Sequence, residues 1–370
     1  MTGFFIIIMA AAVLIGIYSY FLLRRIMKFY GLDLSRMIFK IVNILLALFV
    51  VWICSNMRHT IAMALLHVLV LSMVLDIAAL ACRKIFAKKK ETGLTNLCRK
   101  LYGSGLVPVM ITAVLFTYGF VNMNHPTKTE YTVETDKKVR DYKIVLITDT
   151  HYATIQNTDL LKEKIGEINA QEPDIVILGG DIVEEGTTKE KMQEVFQRLG
   201  GLESKYGIYY VYGNHDRQPY TNSPAYTREE LENAIAENGI TILEDSYMEI
   251  NDDLVLAGRA DAAWGNRSGR ASAEALLDGI DREKYIIVAD HQPIEAEEND
   301  AQGADLLLSG HTHAGQIWPV GCFTELTGGL NYGEYRQGNC KVIVSSGFTG
   351  WGYPVRTQEH CEYVMINITH

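Results

Sequence analysis

Residues 3–23, GFFIIIMAAAVLIGIYSYFLL, carry no charged side chain over 21 positions. A helix of that length crosses a hydrocarbon core of about 30 Å. In lipid the backbone must satisfy its own hydrogen bonds, so such a run is a helix or it does not insert. Further apolar runs lie near 37–56, 60–82 and 105–123. The first run is too long for a signal peptide and has no basic segment before it, so it reads as a retained helix. Residues 1–127 therefore predict a region of about four transmembrane helices.

Charge divides the chain at the same place. Residues 1–127 hold 13 Lys and Arg against 3 Asp and Glu, whereas 128–370 hold 21 against 41. The loop after the first run carries Arg24, Arg25, Lys28 and Arg36. The loop after the third carries Arg83, Lys84, Lys88, Lys89, Lys90, Arg99 and Lys100, and the short loop between the second and third has only Arg58. Basic loops stay in the cytoplasm, which puts residues 128–370 on the extracytoplasmic face of a multi-pass cell-membrane protein. His67 and Asp76 fall inside the third run. Such groups are costly in lipid and often functional. The plainer expectation is a bonded, neutral His67 and an Asp76 reaching water near the helix end.

The acidic region has another pattern. Apolar runs end in polar donors five times: YKIVLITDTH (142–151) at Asp149 and His151, EPDIVILGGD (172–181) at Asp181, YGIYYVYGNHD (206–216) at Asn214, His215 and Asp216, KYIIVADHQP (284–293) at His291, and ADLLLSGHTH (304–313) at His311 and His313. Helical patterns at 158–171 and 188–201 separate the first strands. Strand–helix alternation predicts an α/β fold with a buried, largely parallel sheet, and ligands gather at the carboxyl ends of such strands.

One isolated histidine would be an ordinary loop residue. Five strand ends bearing only oxygen and imidazole donors are not explained by packing. A closed structural zinc site wants four ligands, usually with cysteine. Seven or more donors suit two ions sharing a carboxylate, with Asp181 the natural bridge, in the arrangement used to displace a group at phosphorus.

The ordered blocks Asp149-Thr-His151, Gly180-Asp181, Gly213-Asn214-His215-Asp216, His291 and Gly310-His311-Thr-His313 resemble the calcineurin-like metallophosphoesterase superfamily over residues 142–370. LSGHTHAGQIWP and GWGYPVR are similar to its YkuE- and YaeI-like membrane-associated subgroup. Ala314 stands where that subgroup has Gly. The resemblance implies a four-layer α/β/β/α sandwich of two mixed sheets and two divalent metal ions. It implies that Asp149, His151, Asp181 and His313 hold one ion and Asp181, Asn214, His291 and His311 the other. The donor types suit Mn, Fe or Zn. His215 is then placed to protonate the leaving oxygen, with Asp216 orienting its ring.

Arg356, after the aromatic loop GFTGWGYP (347–354), is the candidate phosphate-binding residue among the arginines. Phe348, Trp351 and Tyr353 either flank a substrate or cover the sheet edge. An extracytoplasmic location permits a disulfide, Cys322 and Cys340 being the nearest pair. The expected activity is metal-dependent hydrolysis of a phosphodiester or pyrophosphate bond, on a lipid-linked substrate. The alternatives are a regulator with a binding-only metal site and a hydrolase of soluble or cyclic nucleotides. The acidic domain argues against a nucleic-acid polymer as partner.

Overall fold

A computed structural model describes residues 2–56, 59–86, 92–154, 157–262 and 269–370. The expected loop residues Arg58, Lys88, Lys89 and Lys90 lie outside them. Two compact units are present, Met1–Tyr118 and Gly119–His370.

The first unit is helical: α1 (Thr2–Phe29), α2 (Met37–Cys54), α3 (Thr60–Phe86), α4 (Gly93–Ser104) and most of α5 (Leu106–Met123). The stretches Met9–Phe29, Met37–Cys54, Thr60–Cys82 and Leu106–Met123 are long and apolar enough to cross a membrane. Their large side chains are mostly exposed, among them Phe21, Leu45, Trp52, Ile77 and Val114. That distribution suits a lipid solvent. His67 Nδ1 donates to the Met63 carbonyl, 2.7 Å away, and the ring packs edge-on against Phe116. Asp76 pairs with Arg25 and accepts from Tyr18 (2.9 Å) and Tyr102 (2.8 Å). Both ionisable groups are thus partnered inside the helical unit. The basic stretch after α3 is not all loop. Thr92 and Thr95 form a reciprocal capping box that starts α4.

The second unit contains two six-stranded mixed sheets. The first runs β1 (Thr127–Glu134), β12 (Glu362–Thr369), β2 (Tyr142–Ile147), β3 (Ile175–Leu178), β4 (Ile208–Tyr210), β5 (Ile240–Ile242). The second runs β10 (Gly333–Gln337), β11 (Cys340–Val344), β9 (Leu306–Ser309), β8 (Tyr285–Ala289), β7 (Leu254–Gly258), β6 (Ser246–Glu249). Successive side chains of a strand point to opposite faces. Ile144 and Leu146 of β2 meet Leu256, Ile287, Leu308 and Ile343 between the sheets. Val145 and Ile147 of the same strand face the opposite way. They pack under α6 (Asp159–Asn169), α7 (Lys189–Leu199) and α8 (Arg228–Glu237) through Ile165, Phe196 and Leu231. On the outer side of the second sheet, Ile286, Val288 and Leu307 pack against Leu276 and Leu277 of α9 (Ala273–Leu277). Three separate apolar interfaces make four layers, α/β/β/α. Burial on both faces explains why these strands read as continuous apolar runs. Two shorter helices are also present, α10 (Ala296–Ala301) and α11 (Val320–Leu326).

The segment between the last candidate span and β2 is structured. β1 pairs in parallel with β12 along its whole length, from Thr127↔Glu362 to Glu134↔Thr369. The C-terminal turn of α5 also belongs to this unit. Gly119 accepts from Arg356 N–H (3.0 Å), and Asn122 donates to the Arg356 carbonyl (3.1 Å). Met123 is fully buried.

Candidate metal centre

β2 and β3 stop one residue before Thr148 and Gly179, and β9 stops before Gly310. Past those ends the backbone turns left-handed. Asp149, His151, Asp181, His311 and His313 all have positive φ, between 38° and 70°. This region is costly for residues with a Cβ and concentrates at functional sites. Buried hydrogen bonds hold it here. Asp149 N–H donates to the Gly180 carbonyl (2.9 Å) and His151 N–H to that of Asp181 (3.0 Å). His215 N–H donates to Asp181 Oδ1 (2.8 Å), and His311 N–H to Asp149 Oδ2 (3.1 Å). Gly213 is required at this crossing, because a Cβ there would strike the Asp181 carboxylate.

The result is two trios, each with one donor atom per residue and all three atoms within 4.8 Å of one another: Asp149, His151 and His313, and Asp181, His291 and His311. They adjoin. His151 Nε2 lies 3.2 Å from His313 Nε2, His313 Nε2 lies 3.5 Å from Asp149 Oδ1, and Asp181 Oδ2 is 3.1 Å from His291 Nε2 and 3.9 Å from His151 Nε2. Asp181 thus faces both groups, where a shared ligand must stand.

Three observations fit this set to cations. Asn214 Oδ1 is buried without a hydrogen-bond partner among the described residues, a costly state that a metal ion relieves. His291 places Nδ1 2.8 Å from the Gly179 carbonyl, and His313 places Nδ1 3.3 Å from that of Thr349. A ring that donates from Nδ1 leaves the Nε2 lone pair for a ligand. The donors are nitrogen and oxygen with no thiol, a borderline-hard set.

Electrostatics agree. Burial alone would push the Asp149 and Asp181 carboxyls up. The imidazoles beside them, His313 and His291 foremost, outweigh it and hold both below the usual carboxylate range. Burial, reinforced by His151 and Arg356, lowers His313 to about 3. Burial and His291 lower His311. Both shifts favour the neutral ring, the form that binds metal. Burial would lower His151 and His291 too, but adjacent carboxylates, Glu184 and Asp181 respectively, raise them.

His215 stands beside the trios, its ring 5.6 Å from that of His151. Its partner is not the expected one. His215 Nδ1 is 2.7 Å from Glu185 Oε2. Asp216 instead accepts from four backbone N–H groups, those of Asp181 (2.9 Å), Ile182 (2.8 Å), Val183 (3.1 Å) and Gly213 (2.6 Å). Its role is to tie the β3 and β4 loops together, and both of its oxygens are committed to that. Arg356 also differs from expectation. It is fully buried and donates to the carbonyls of His313 (2.8 Å), Ser346 (2.8 Å) and Thr349 (2.7 Å), which makes it a brace of the loops around the site. Of the aromatic loop, Phe348 is core, whereas Trp351 is partly exposed and lies over His215, ring centroids 5.5 Å apart. Tyr220 flanks His215 on another side, at 5.2 Å. Cys322 and Cys340 are both free, the first exposed and the second buried in β11.

Sequence reading missed Glu184, Glu185 and Tyr220. Glu184 Oε2 lies 3.3 Å from His151 Nδ1. Both glutamates come within four residues of Asp181, which is the signal that could have placed them near the donor trios.

A four-layer sandwich with two adjoining His/Asp trios at its strand ends is the architecture of a protein with a candidate two-metal site. Residues 142–315 match the calcineurin-like phosphoesterase family. An uncharacterized metallophosphoesterase of Campylobacter jejuni is 30% identical over 264 residues, 70% of this chain and 68% of that one. The chain belongs to the calcineurin-like metallophosphoesterase family. It is also similar to a zebrafish (Danio rerio) transmembrane protein with metallophosphoesterase domain, at 30% identity over 70% of this chain and 62% of that one. The uncharacterized metallophosphoesterase YkuE of Bacillus subtilis is 26% identical over 65% of this chain and 85% of its own.

Proposed function

We propose that the protein is a membrane-anchored hydrolase of phosphodiester or pyrophosphate bonds, acting on a lipid-linked substrate at the extracytoplasmic surface. The observation that carries the hydrolase reading is the pair of donor trios meeting at Asp181. Asp149, His151, Asp181 and His313 would hold one ion, and Asp181, Asn214, His291 and His311 the other, with Mn, Fe or Zn each compatible. Bound there, two cations supply an activated water and neutralise charge on the phosphoryl oxygens.

The chain's own groups do the rest. His215 is the general acid. Burial alone would lower its pKa, but the Glu185 hydrogen bond, aided by Asp181, raises it above the usual value. The cationic ring is therefore favoured, with Nδ1 held at Glu185 and Nε2 left to deliver a proton to the leaving oxygen. Trp351 and Tyr220 wall the ring and limit water around it. Gly213 and Asp216 keep Asp181 and Asn214 in place.

The test is hydrolysis by purified full-length protein of an aryl phosphodiester and of a lipid pyrophosphate, before and after chelation. Activity lost on chelation and restored by Mn, Fe or Zn supports the reading. Undiminished activity after exhaustive metal removal sinks it. Protease added to intact protoplasts checks the outward orientation: the domain should be cut before lysis.

A further inference from the structure

Gln316 follows the His311–His313 ligand segment, and the chain then runs into α11. Four large apolar side chains lie exposed within nine residues: Trp318 (58%), Val320 (49%), Phe323 (63%) and Leu326 (81%). Isolated exposed apolar residues are ordinary, but a contiguous group marks an interaction surface. The four-layer core does not need this group, because none of these side chains enters it.

The hydrogen bonds beneath α11 say what the surface meets. Trp318 N–H donates to Thr357 Oγ1 (3.0 Å), and Gly321 N–H to Gln358 Oε1 (3.0 Å). The neighbouring Arg356 N–H donates to the carbonyl of Gly119, in the last turn of α5 (3.0 Å). Buried Gln316 ties the block together by donating to the carbonyls of Trp351, Tyr353 and Val355. In that last turn of α5, Phe120 and Val121 are exposed as well. A helix that crosses a bilayer ends at the headgroups. A segment bonded through one intervening loop to that helix's last turn lies near the same depth. Trp is the residue that favours this interface.

We propose that α11 is a membrane-seating helix. Trp318, Val320, Phe323 and Leu326 enter the lipid surface as a short monotopic element, continuous with the exposed end of α5. The ligand segment His311–His313 is joined to α11 through Gln316, so seating α11 holds the metal centre at headgroup level. The substrate class follows: a phosphoester or pyrophosphate headgroup that stays in the bilayer while its phosphorus is attacked. The seating rests on exposure, hydrogen bonding and the reading of α5 as a membrane span, whereas the substrate class rests on the phosphoesterase reading above.

Two measurements on full-length protein in phosphatidylethanolamine/phosphatidylglycerol nanodiscs keep those parts apart. The first places a nitroxide on native Cys322, which is exposed and four residues from Leu326, in a Cys82→Ser/Cys98→Ser background that removes the other exposed thiols. The label should be relaxed by oxygen and shielded from a water-soluble nickel chelate, the reverse of a label at exposed Glu229 in α8. Equal access of the chelate to both labels overturns the seating. The second compares the parent with Phe323→Asp/Leu326→Asp. These side chains are exposed, so the fold is kept. Hydrolysis of a soluble aryl phosphodiester should stay within about twofold, and hydrolysis of a bilayer phospholipid or lipid pyrophosphate should fall at least about tenfold. Equal rates of both proteins on the bilayer substrate overturn the headgroup assignment. A parent inactive on every ester with metal added defeats the phosphoesterase reading, while the nitroxide result still decides the seating.

Discussion

His215 Nδ1 and Glu185 Oε2 are 2.7 Å apart, joining the loop after β4 to the loop after β3 beside the metal ligands. This contact sets the proton affinity of the ring. Glu185→Gln removes the charge that raises it, so His215 loses its proton at lower pH. The alkaline limb of the rate profile should move toward acid, and turnover at neutral pH should fall about tenfold, within the range seen when a histidine's carboxylate partner is removed. His215→Ala should cost about 10²–10⁴-fold. Profiles of kcat against pH for a diester with a poor leaving group check both. An unmoved alkaline limb in Glu185→Gln would falsify the pairing's role.

Asp216 leads to a different expectation. Removing its carboxylate strands four buried N–H donors, and each unsatisfied buried group costs about 1–3 kcal/mol. Asp216→Ala should therefore lose at least about 3 kcal/mol in denaturant unfolding and lose metal with it. Asp216→Asn keeps one acceptor oxygen and should fall between that variant and the parent. Were Asp216→Ala as stable as the parent but slow, Asp216 would belong to the chemistry after all.

Arg356→Lys separates a brace from a phosphate clamp. A lysine cannot serve three carbonyls from one planar fork. Stability should drop by about 1–3 kcal/mol, and KM for a soluble diester should stay within about twofold. A large rise in KM at unchanged stability is the opposite result.

Asp181→Asn removes the shared carboxylate. Metal analysis of the purified protein should find two ions per chain in the parent and fewer than one in the variant. Loss of one ion with full retention of the other would mean that Asp181 is not shared.

Away from the metal centre, His360 Nε2 lies 3.4 Å from Glu362 Oε2. The Glu362 hydrogen bond raises His360 against its burial. Burial would raise Glu362, but His360, Thr129 and the Ser346 N–H together lower it. A raised histidine stabilises below its unfolded pKa of about 6.5 and stops doing so as pH climbs past its folded value. A lowered carboxyl stabilises above about 4.5 and fails as pH falls past its folded value. The melting-temperature gap between the parent and His360→Gln should therefore be widest near pH 5–6 and close above pH 8. His360 is partly exposed, so solvent screening keeps the gap small. A gap that grows with pH contradicts the pairing.

The donors of the two trios were legible because each closes an apolar strand, and the ends of β2 and β3 in one sheet and of β8 and β9 in the other meet at the same place. The candidate spans were legible because lipid demands an unbroken apolar run. The strands β2, β3, β4, β8 and β9 announce themselves for a related reason: buried on both faces, they have no polar alternation to blur them. By contrast, β1 and α4 went unread. β1 alternates half-buried and exposed residues at a sheet edge. α4 begins on a Thr–Thr capping box inside a basic stretch.

What the sequence determined by itself was the chemistry available: seven Asp, Asn and His donors at strand ends, a histidine beside them, and apolar spans before them. Tertiary structure decided which neighbour each charged group takes. Asp216 adjoins His215 in sequence, yet its carboxylate turns to the N–H groups of Asp181, Ile182, Val183 and Gly213. Glu185, thirty residues earlier, takes the ring instead. Arg356 follows an aromatic loop beside the site, yet burial commits it to three carbonyls. The physical reason is the same in each case. A buried polar group must find its partners where the fold places them, and neighbours along the chain have no privilege in that choice.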